Sequence, residues 1–299
     1  MFSQYFGQYL FNKEILTVDQ LYDAFEYERS VRVKLGVLAI NSGLMTANQV
    51  EEVHQLQQVM DRKFGEIAIA KGYLTSQQVD QLLDAQNNRH LSLSQAIVDK
   101  GFLSLSQLEN TLESYKQANQ FTSNQFKSLQ NRDIDAIVRI FLDFSEEKTV
   151  ADLYYDYTAL FLRNIIRFLD DEPILTRSIP FSQDLPQMVG NWFVTQSISG
   201  NVNLFTGLLL EDLSLLELAR RFSQEDLAVI DELTKDSAAE FLNVHNGVFS
   251  VNMSDRGTEL DLTPQSISDT IEIPVKNGHR IPINLSFGQI QLIIASAPS

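Results

Sequence analysis

The sequence predicts an α+β protein in which an all-α repeat domain precedes an α+β domain with an antiparallel sheet covered by helices. A similar segment recurs every 29 residues over residues 1–120, with helical periodicity in each copy. Residues 187–198 and 202–210 are rich in Val, Phe, Thr and Leu, and a Ser-Gly-Asn turn separates them, which indicates a β-hairpin. Helical patterns and further strand-like runs surround this hairpin, as is typical of a layered α+β domain.

Composition limits the function classes. The 299 residues suffice for two hydrophobic cores, and 44% hydrophobic with 21% charged residues is typical of a soluble globular protein. A net charge of -16 repels phosphate backbones and anionic membranes, so we expect no nucleic-acid polymer as partner. The chain has no cysteine, no apolar run long enough for membrane insertion and no basic leader. The sequence therefore predicts a cytoplasmic location.

The repeat of residues 1–120 has four units. Each unit starts with an apolar residue followed by a small one, at Phe6-Gly7, Leu35-Gly36, Phe64-Gly65 and Leu93-Ser94. Ten residues later comes a hydroxyl residue with a Gln three positions on, the signature of a capping box at a helix start. These pairs are Thr17 with Gln20, Thr46 with Gln49, Thr75 with Gln78, and Ser104 with Gln107. Each unit is therefore predicted as a short helix, a turn and a longer helix, and the units should stack.

The second and third units resemble the MshEN-type N-terminal domains of type II secretion and type IV pilus ATPases. The resemblance implies an all-α fold and cyclic di-GMP as a candidate ligand. Its candidate binding residues are Lys34, Leu35, Gly36, Lys63, Phe64 and Gly65. The family's leading Arg is replaced by Lys34 and Lys63, and lysine lacks the planar face that a guanine stacks on. Two interpretations stay open: nucleotide binding, or a purely structural close-packing role for the Leu-Gly pair.

The second half starts after a polar stretch at 116–132. We predict a linker or connecting helix over 121–144 and an α+β domain over 145–299. The expected helices cover 133–144, 154–170 and 213–222, and a long helix opens near Ser223. The expected C-terminal strands cover 269–275, 281–287 and 290–295, with a turn at 276–278.

The long helix carries two neighbouring stripes. Ser223 is the expected N-cap, and acidic residues follow in the first turn. The helical period then places one apolar stripe of the helix against the core. That stripe contains Leu233, Ser237, Phe241, Val244 and Val248, and the stripe beside it contains Asp236, Glu240, Asn243 and Gly247. A carboxylate and an amide three residues apart on one face form either a working pair or an ordinary solvated face.

Other catalytic signals are weak. The four histidines, His54, His90, His245 and His279, are scattered, and we expect structural or exposed roles for them rather than metal ligation. Walker A, GxGxxG and HExxH motifs are lacking. We therefore predict no metal site.

The second half resembles the CheC/CheX-type chemotaxis phosphatase family. Asp236, Glu240 and Asn243, with Pro264 downstream, match the family's signature, although the gap from Asn243 to Pro264 is 21 positions, slightly shorter than usual. The resemblance implies a CheX-like domain that hydrolyses the aspartyl phosphate of a CheY-type receiver. It also implies that Asn243 orients the water, Glu240 pairs with a receiver lysine and Asp236 makes a peripheral contact. The receiver would supply Mg²⁺, so no cofactor of the chain's own is expected.

Two functions stay open. The first is an enzyme that dephosphorylates a response regulator and carries an N-terminal sensory or docking domain. The alternative is a non-catalytic CheX-like module for binding or dimerisation, coupled to a cyclic di-GMP receptor or a pilus or secretion scaffold. The resemblance also allows a homodimer formed through sheet edges.

Overall fold

The chain folds into two compact units, Met1–Asp133 and Ile134–Ser299. The computed structural model describes residues 1–28, 33–60, 62–86, 92–147, 149–177, 179–182, 191–271, 273–275 and 277–297. The first unit is helical, and the second combines helices with an antiparallel sheet. The predicted α+β class is confirmed.

The N-terminal unit contains pairs of short and longer helices. In its described residues they are α1 Phe2–Asn12, α2 Val18–Glu28, α3 Leu35–Asn41, α4 Ala47–Val59, α5 Phe64–Ala70, α6 Ser76–Ala85, α7 Ser92–Asp99, α8 Leu105–Ala118 and α9 Ser123–Gln130. The first eight form the four predicted pairs. The ninth lies within 121–144, where polar composition had suggested a linker or connecting helix, and Thr122 with Gln125 forms a further capping box at its start.

The local pattern of the repeat is confirmed at each helix start. Gln49 donates its backbone N–H to Thr46 Oγ1 at 3.3 Å, and Thr46 donates its own to Gln49 Oε1 at 2.9 Å. The equivalent pair of bonds occurs in the other three units, at Thr17, Thr75 and Ser104. Each unit therefore satisfies its own helix-end donors within three residues.

The small residue at the start of a unit lets two helices approach closely. A Cβ added to Gly36 would lie 2.6 Å from Val50 Cγ1, and one added to Gly65 would lie 2.8 Å from Val79 Cγ1. Both distances are shorter than any normal carbon contact. The Leu-Gly and Phe-Gly pairs thus mark the points where α3 packs on α4 and α5 packs on α6.

The C-terminal unit surrounds one antiparallel sheet. Its described helices are α10 Ile134–Phe141, α11 Ala151–Phe168, α12 Asp212–Ser223 and α13 Glu232–Ser254. Its strands are β1 Ile174–Leu175, β2 Ile179–Ser182, β3 Asn191–Gly200, β4 Leu204–Glu211, β5 Leu260–Leu262, β6 Ser266–Ser268, β7 Asn277–Leu285 and β8 Gly288–Ser296. The order is β1-β7-β8-β4-β3-β5, with β2 also paired to β7 and β6 to β3. The predicted hairpin is β3–β4.

Each face of the sheet has its own apolar layer. On one face, α12 packs on β4 and β8, and α13 packs on β3. On the other, buried Phe193, Phe205 and Ile293 form a cluster that Val275 and the half-buried Ile273 cover. The predicted strand at 269–275 is wrong, since its described residues belong to no strand, and β5 and β6 form that edge instead. Its alternating apolar residues cover the sheet rather than extend it.

The long helix does not open near Ser223 as predicted. Ser223 is the last residue of α12, and Gln224 then adopts a left-handed conformation with φ of 58°. The next helix, α13, begins at Glu232, where the Asp231 side chain accepts a hydrogen bond from the Thr234 backbone N–H at 3.0 Å. A carboxylate that caps a helix start is stabilising, and this bond lowers the pKa of Asp231.

Candidate functional site

Glu240 and Asn243 lie side by side on the exposed edge of α13. Asn243 donates from Nδ2 to Glu240 Oε2 at 3.2 Å, and Gln265 donates from Nε2 to the same oxygen at 3.4 Å. Asp236 is exposed one turn before Glu240, whereas Asn243 is half-buried. The structure thus brings together the acid and the amide that the sequence singled out.

The buried face of α13 is wider than predicted and rotated. Phe241 and Ser237 are buried, but Leu233 is 55% exposed, and Val244 and Val248 are only half-buried. Thr234, His245 and Phe249, each one position further on, are buried in their place. The buried set beyond Phe241 contains Leu242, His245, Asn246 and Phe249. Hydrophobicity alone misplaced the stripe, because buried polar side chains with hydrogen-bond partners fit a core.

A buried glutamine on the sheet holds the Asn243 amide from behind. Gln196 lies on β3, is only 2% exposed, and donates from Nε2 to Asn243 Oδ1 at 2.8 Å. The same Nε2 donates to the backbone carbonyl oxygen of Thr263 at 2.8 Å. Asn243 therefore joins the solvent-facing Glu240 to the interior of the sheet.

Gln196 is in turn held by residues of two further elements. Its Oε1 accepts from Asn246 Nδ2 at 2.8 Å, and Asn246 Nδ2 also donates to Thr206 Oγ1 at 3.0 Å. Tyr157 on α11 donates its hydroxyl to Asn246 Oδ1 at 2.7 Å. All three of these partners are fully buried, and burial raises the pKa of Tyr157, so its phenol stays protonated.

An open groove borders the pair. It has a volume of about 570 Å³ and lies between the end of α12, α13 and β6, with Asp236, Glu240 and Gln265 in its wall. Pro264 is the residue between Thr263, whose carbonyl binds Gln196, and Gln265, which binds Glu240. The loop that contains Pro264 therefore lies next to Glu240 and Asn243.

His245 and His279 have structural surroundings. His245 is fully buried, its Nδ1 lies 3.0 Å from Asn164 Nδ2, and burial lowers its pKa to about 3. His279 Nε2 lies 3.3 Å from Glu147 Oε1, while burial lowers the pKa of His279. His90 lies outside the described residues. In the part of the chain that the structure describes, no group of three acidic or histidine side chains is arranged to hold a metal ion.

The candidate nucleotide residues take two kinds of place in the N-terminal unit. Gly36, Phe64 and Gly65 are buried, while Lys34 and Lys63 are exposed. The Leu35 side chain is half-buried. Lys34 Nζ forms an ion pair with Asp99 at 2.9 Å. Packing accounts for both glycines, and cyclic di-GMP binding stays a prediction.

The residues behind Asn243 were not predicted from the sequence. Gln196 is a polar residue on the strand face that also carries Val194 and Ile198, both buried. Asn246 is a polar residue within the buried side of α13. A long polar side chain at an apolar position of the pattern was the available signal, but its partners depend on strand pairing that the sequence does not specify.

Comparison with known proteins yields structural likenesses for the C-terminal part of the chain. The chain matches no protein-family model and no curated protein. The chemotaxis protein CheX from Desulfovibrio desulfuricans is 16% identical, with a TM-score of 0.42 over 49% of this chain and 99% of that one. A CheC-like superfamily protein from Shewanella sp. PV-4 is 18% identical, with a TM-score of 0.44 over 49% and 98%.

A chain of the CheX–CheY–BeF3–Mg²⁺ complex from Borrelia burgdorferi is 17% identical, with a TM-score of 0.39 over 48% of this chain and 96% of that one. Likenesses at 16–18% identity concern the fold alone and carry no information on the role of any residue. None of the helices in the described ranges combines the length and apolar character needed to cross a membrane.

Proposed function

We propose that the C-terminal unit hydrolyses the aspartyl phosphate of a CheY-type receiver domain. The observation that supports this proposal most directly is the pair formed by Glu240 and Asn243, with the Asn243 amide oriented by Gln196 and open to solvent. The spacing of Asp236, Glu240, Asn243 and Pro264 resembles the signature of the CheC/CheX-type phosphatases. The loop with Pro264 lies beside the pair, as such a shared site requires.

Asn243 has the atoms that water positioning needs. One lone pair of Oδ1 is used by Gln196 and one hydrogen of Nδ2 by Glu240, which leaves one acceptor site and one hydrogen. The free acceptor site can take a hydrogen from the attacking water, and the free hydrogen can reach a phosphoryl oxygen. Phosphoryl transfer depends mainly on such positioning and on charge stabilisation, and the receiver's own Mg²⁺ would supply the latter.

Glu240 has the role of an anchor in this proposal. Its carboxylate is exposed at the rim of the groove and, among the residues that the structure describes, accepts hydrogen bonds only from two neutral amides, Asn243 and Gln265. A carboxylate without a cationic partner among the described residues can take one from the receiver, for which a lysine is suited. Asp236 adds a second negative charge at the same rim and would make a peripheral contact.

The test measures phosphate release from receivers charged with acetyl phosphate and Mg²⁺. We expect Asn243→Ala to lower kcat by about 10²-fold, the scale for removal of one positioned polar group, with no loss of folding. We expect Glu240→Ala to raise KM more than it lowers kcat. Asn252→Ala is the matched control, since Asn252 is another exposed amide of the same helix.

Two results would count against hydrolysis. Near-wild-type turnover by Asn243→Ala on a receiver that the protein dephosphorylates would remove Asn243 from the mechanism. Tight binding of charged receivers without any faster phosphate release would favour the alternative, a non-catalytic CheX-like binding module. Sedimentation of the same samples would show whether this module also forms a homodimer.

A further inference from the structure

We infer that Gln196 is a positioning residue for Asn243, because it ends a buried chain of hydrogen bonds that fixes which end of the Asn243 amide faces solvent. This inference rests on the proposed function and deepens it. It assigns a role to a residue on the sheet, 47 positions away from Asn243 in sequence.

The orientation of Gln196 follows from a backbone carbonyl. Thr263 O can only accept, so the Gln196 atom 2.8 Å from it must be the donor Nε2. The two hydrogens of Nε2 are then both used, one on Thr263 O and one on Asn243 Oδ1. Because Gln196 presents a donor, Asn243 must present its oxygen inward and its NH₂ outward.

The opposite end of Gln196 is fixed independently. Thr206 Oγ1 uses its hydrogen on the Gln196 backbone oxygen at 2.7 Å, so it can only accept from Asn246 Nδ2. Asn246 therefore presents its NH₂ to Gln196 Oε1 and its oxygen to the Tyr157 hydroxyl. Each side chain in this series of hydrogen bonds donates to the next one, from Tyr157 through Asn246 and Gln196 to Asn243.

Reversal of Asn243 is unfavourable for a simple reason. Its Nδ2 would then face Gln196 Nε2, and two donors would lie against each other. Gln196 cannot turn to compensate, because its buried amide would lose the hydrogen bonds to both Thr263 O and Asn246 Nδ2. The series of hydrogen bonds thus fixes the orientation of the Asn243 amide before a receiver binds.

The first experiment compares kcat and KM for Gln196→Met in the full-length protein. Methionine keeps the length of the side chain but donates nothing, so we expect kcat to fall about tenfold or more. KM should change by less than about twofold, because the substitution leaves in place Glu240, the proposed anchor for the receiver. Gln291→Met is the matched control: it makes the same change on β8, on the other face of the sheet from Gln196. Its kcat should equal that of the wild type.

A second variant separates positioning from packing. In Gln196→Glu the new side chain only accepts hydrogen bonds once it is ionised, so at high pH Asn243 would reverse and kcat should fall at least as far as in Gln196→Met. Burial raises the pKa of a carboxyl group, and its protonated form regains one donor. The ratio of variant to wild-type kcat should therefore rise as the pH is lowered. A purely structural defect would leave that ratio flat.

NMR of the wild-type protein tests this series of hydrogen bonds without any substitution. Both hydrogens of Gln196 Nε2 are bonded and buried, so they should exchange slowly with solvent, whereas the Nδ2 hydrogens of Asn243 should exchange fast. Fast exchange at Gln196 would overturn the inference, as would wild-type kcat in a folded Gln196→Met protein. Failure of the proposed function is a separate result, because it appears as unchanged turnover in Asn243→Ala whatever Gln196 does.

Discussion

In the N-terminal unit the recurring polar side chains bond the start of their own helix, three residues away, as Thr46 and Gln49 do. In the C-terminal unit the polar side chains behind Asn243 bond residues 40 to 89 positions away, as Asn246 does with Thr206 and Tyr157. The first arrangement is repeated and self-contained, whereas the second ties two helices, two strands and a loop together. A substitution should therefore act locally in the first unit and broadly in the second.

The largest effect should come from protonation of His245 in the C-terminal unit. Burial lowers its pKa to about 3, against roughly 6.5 in an unfolded chain. Below pH 6.5 the unfolded state binds the extra proton, so the free energy of unfolding falls as the pH falls. At about 1.4 kcal/mol per unit, the loss at pH 4 relative to pH 7 is about 3 kcal/mol, and it is complete only near pH 3.

Urea unfolding followed by fluorescence checks this, because the single tryptophan, Trp192, lies in the C-terminal unit. His245→Leu should make the difference between pH 7 and pH 4 smaller by about 3 kcal/mol than in the wild type. His54→Gln is the control, because burial also lowers the pKa of His54, but this residue lies in the N-terminal unit, whereas Trp192 reports the C-terminal unit. The difference should therefore stay as in the wild type. An unchanged difference in His245→Leu would show that other groups cause the acid sensitivity.

The same comparison explains what the sequence could and could not predict. Capping boxes are recognisable in the sequence because the two residues that bond each other lie three positions apart. Glu240 and Asn243 could be identified for the same reason. Gln196 and Asn246 depend on the register of β3 with β4 and on its distance from α13, which only the folded chain defines. Even the apolar stripe of α13 was misplaced, because His245 and Asn246 are buried through partners on α11 and the sheet.

The next largest effect should come from close packing of two helices in the N-terminal unit. Gly36→Ala should destabilise the N-terminal unit by about 1–3 kcal/mol, because the new Cβ would lie 2.6 Å from Val50 Cγ1. Hydrogen exchange read by peptide should show faster exchange in α3 and α4. Val50→Ala should weaken the effect of Gly36→Ala in a double-mutant cycle.

Gly247→Ala is the matched control in the other unit. Gly247 also lies within a helix, but a Cβ there would meet nothing within 4 Å. Alanine should therefore stabilise α13 by about 0.5–1 kcal/mol. Equal destabilisation by both alanines would show that close packing is not what requires Gly36.

A smaller loss is expected from a single helix cap. Thr75→Ala removes the oxygen that accepts the Gln78 backbone N–H, which should cost about 1 kcal/mol. Exchange should become faster in the first turn of α6, while the Trp192 transition stays in place. Thr75→Ser keeps the hydroxyl and should behave as the wild type. A shift of the Trp192 transition would contradict the local character of the repeat.

The smallest effect on stability should come from Lys34→Ala, and for that reason it is the clean test of a ligand. Lys34 pairs with Asp99, but the two side chains are 61% and 21% exposed, so the pair contributes at most about 1 kcal/mol. Titration of the full-length protein with cyclic di-GMP, before and after Lys34→Ala and Lys63→Ala, then reports binding rather than folding. Heat of binding that both variants abolish would assign the repeat a nucleotide site. Absence of binding in the wild type would leave its glycines with the packing role that Val50 and Val79 already explain.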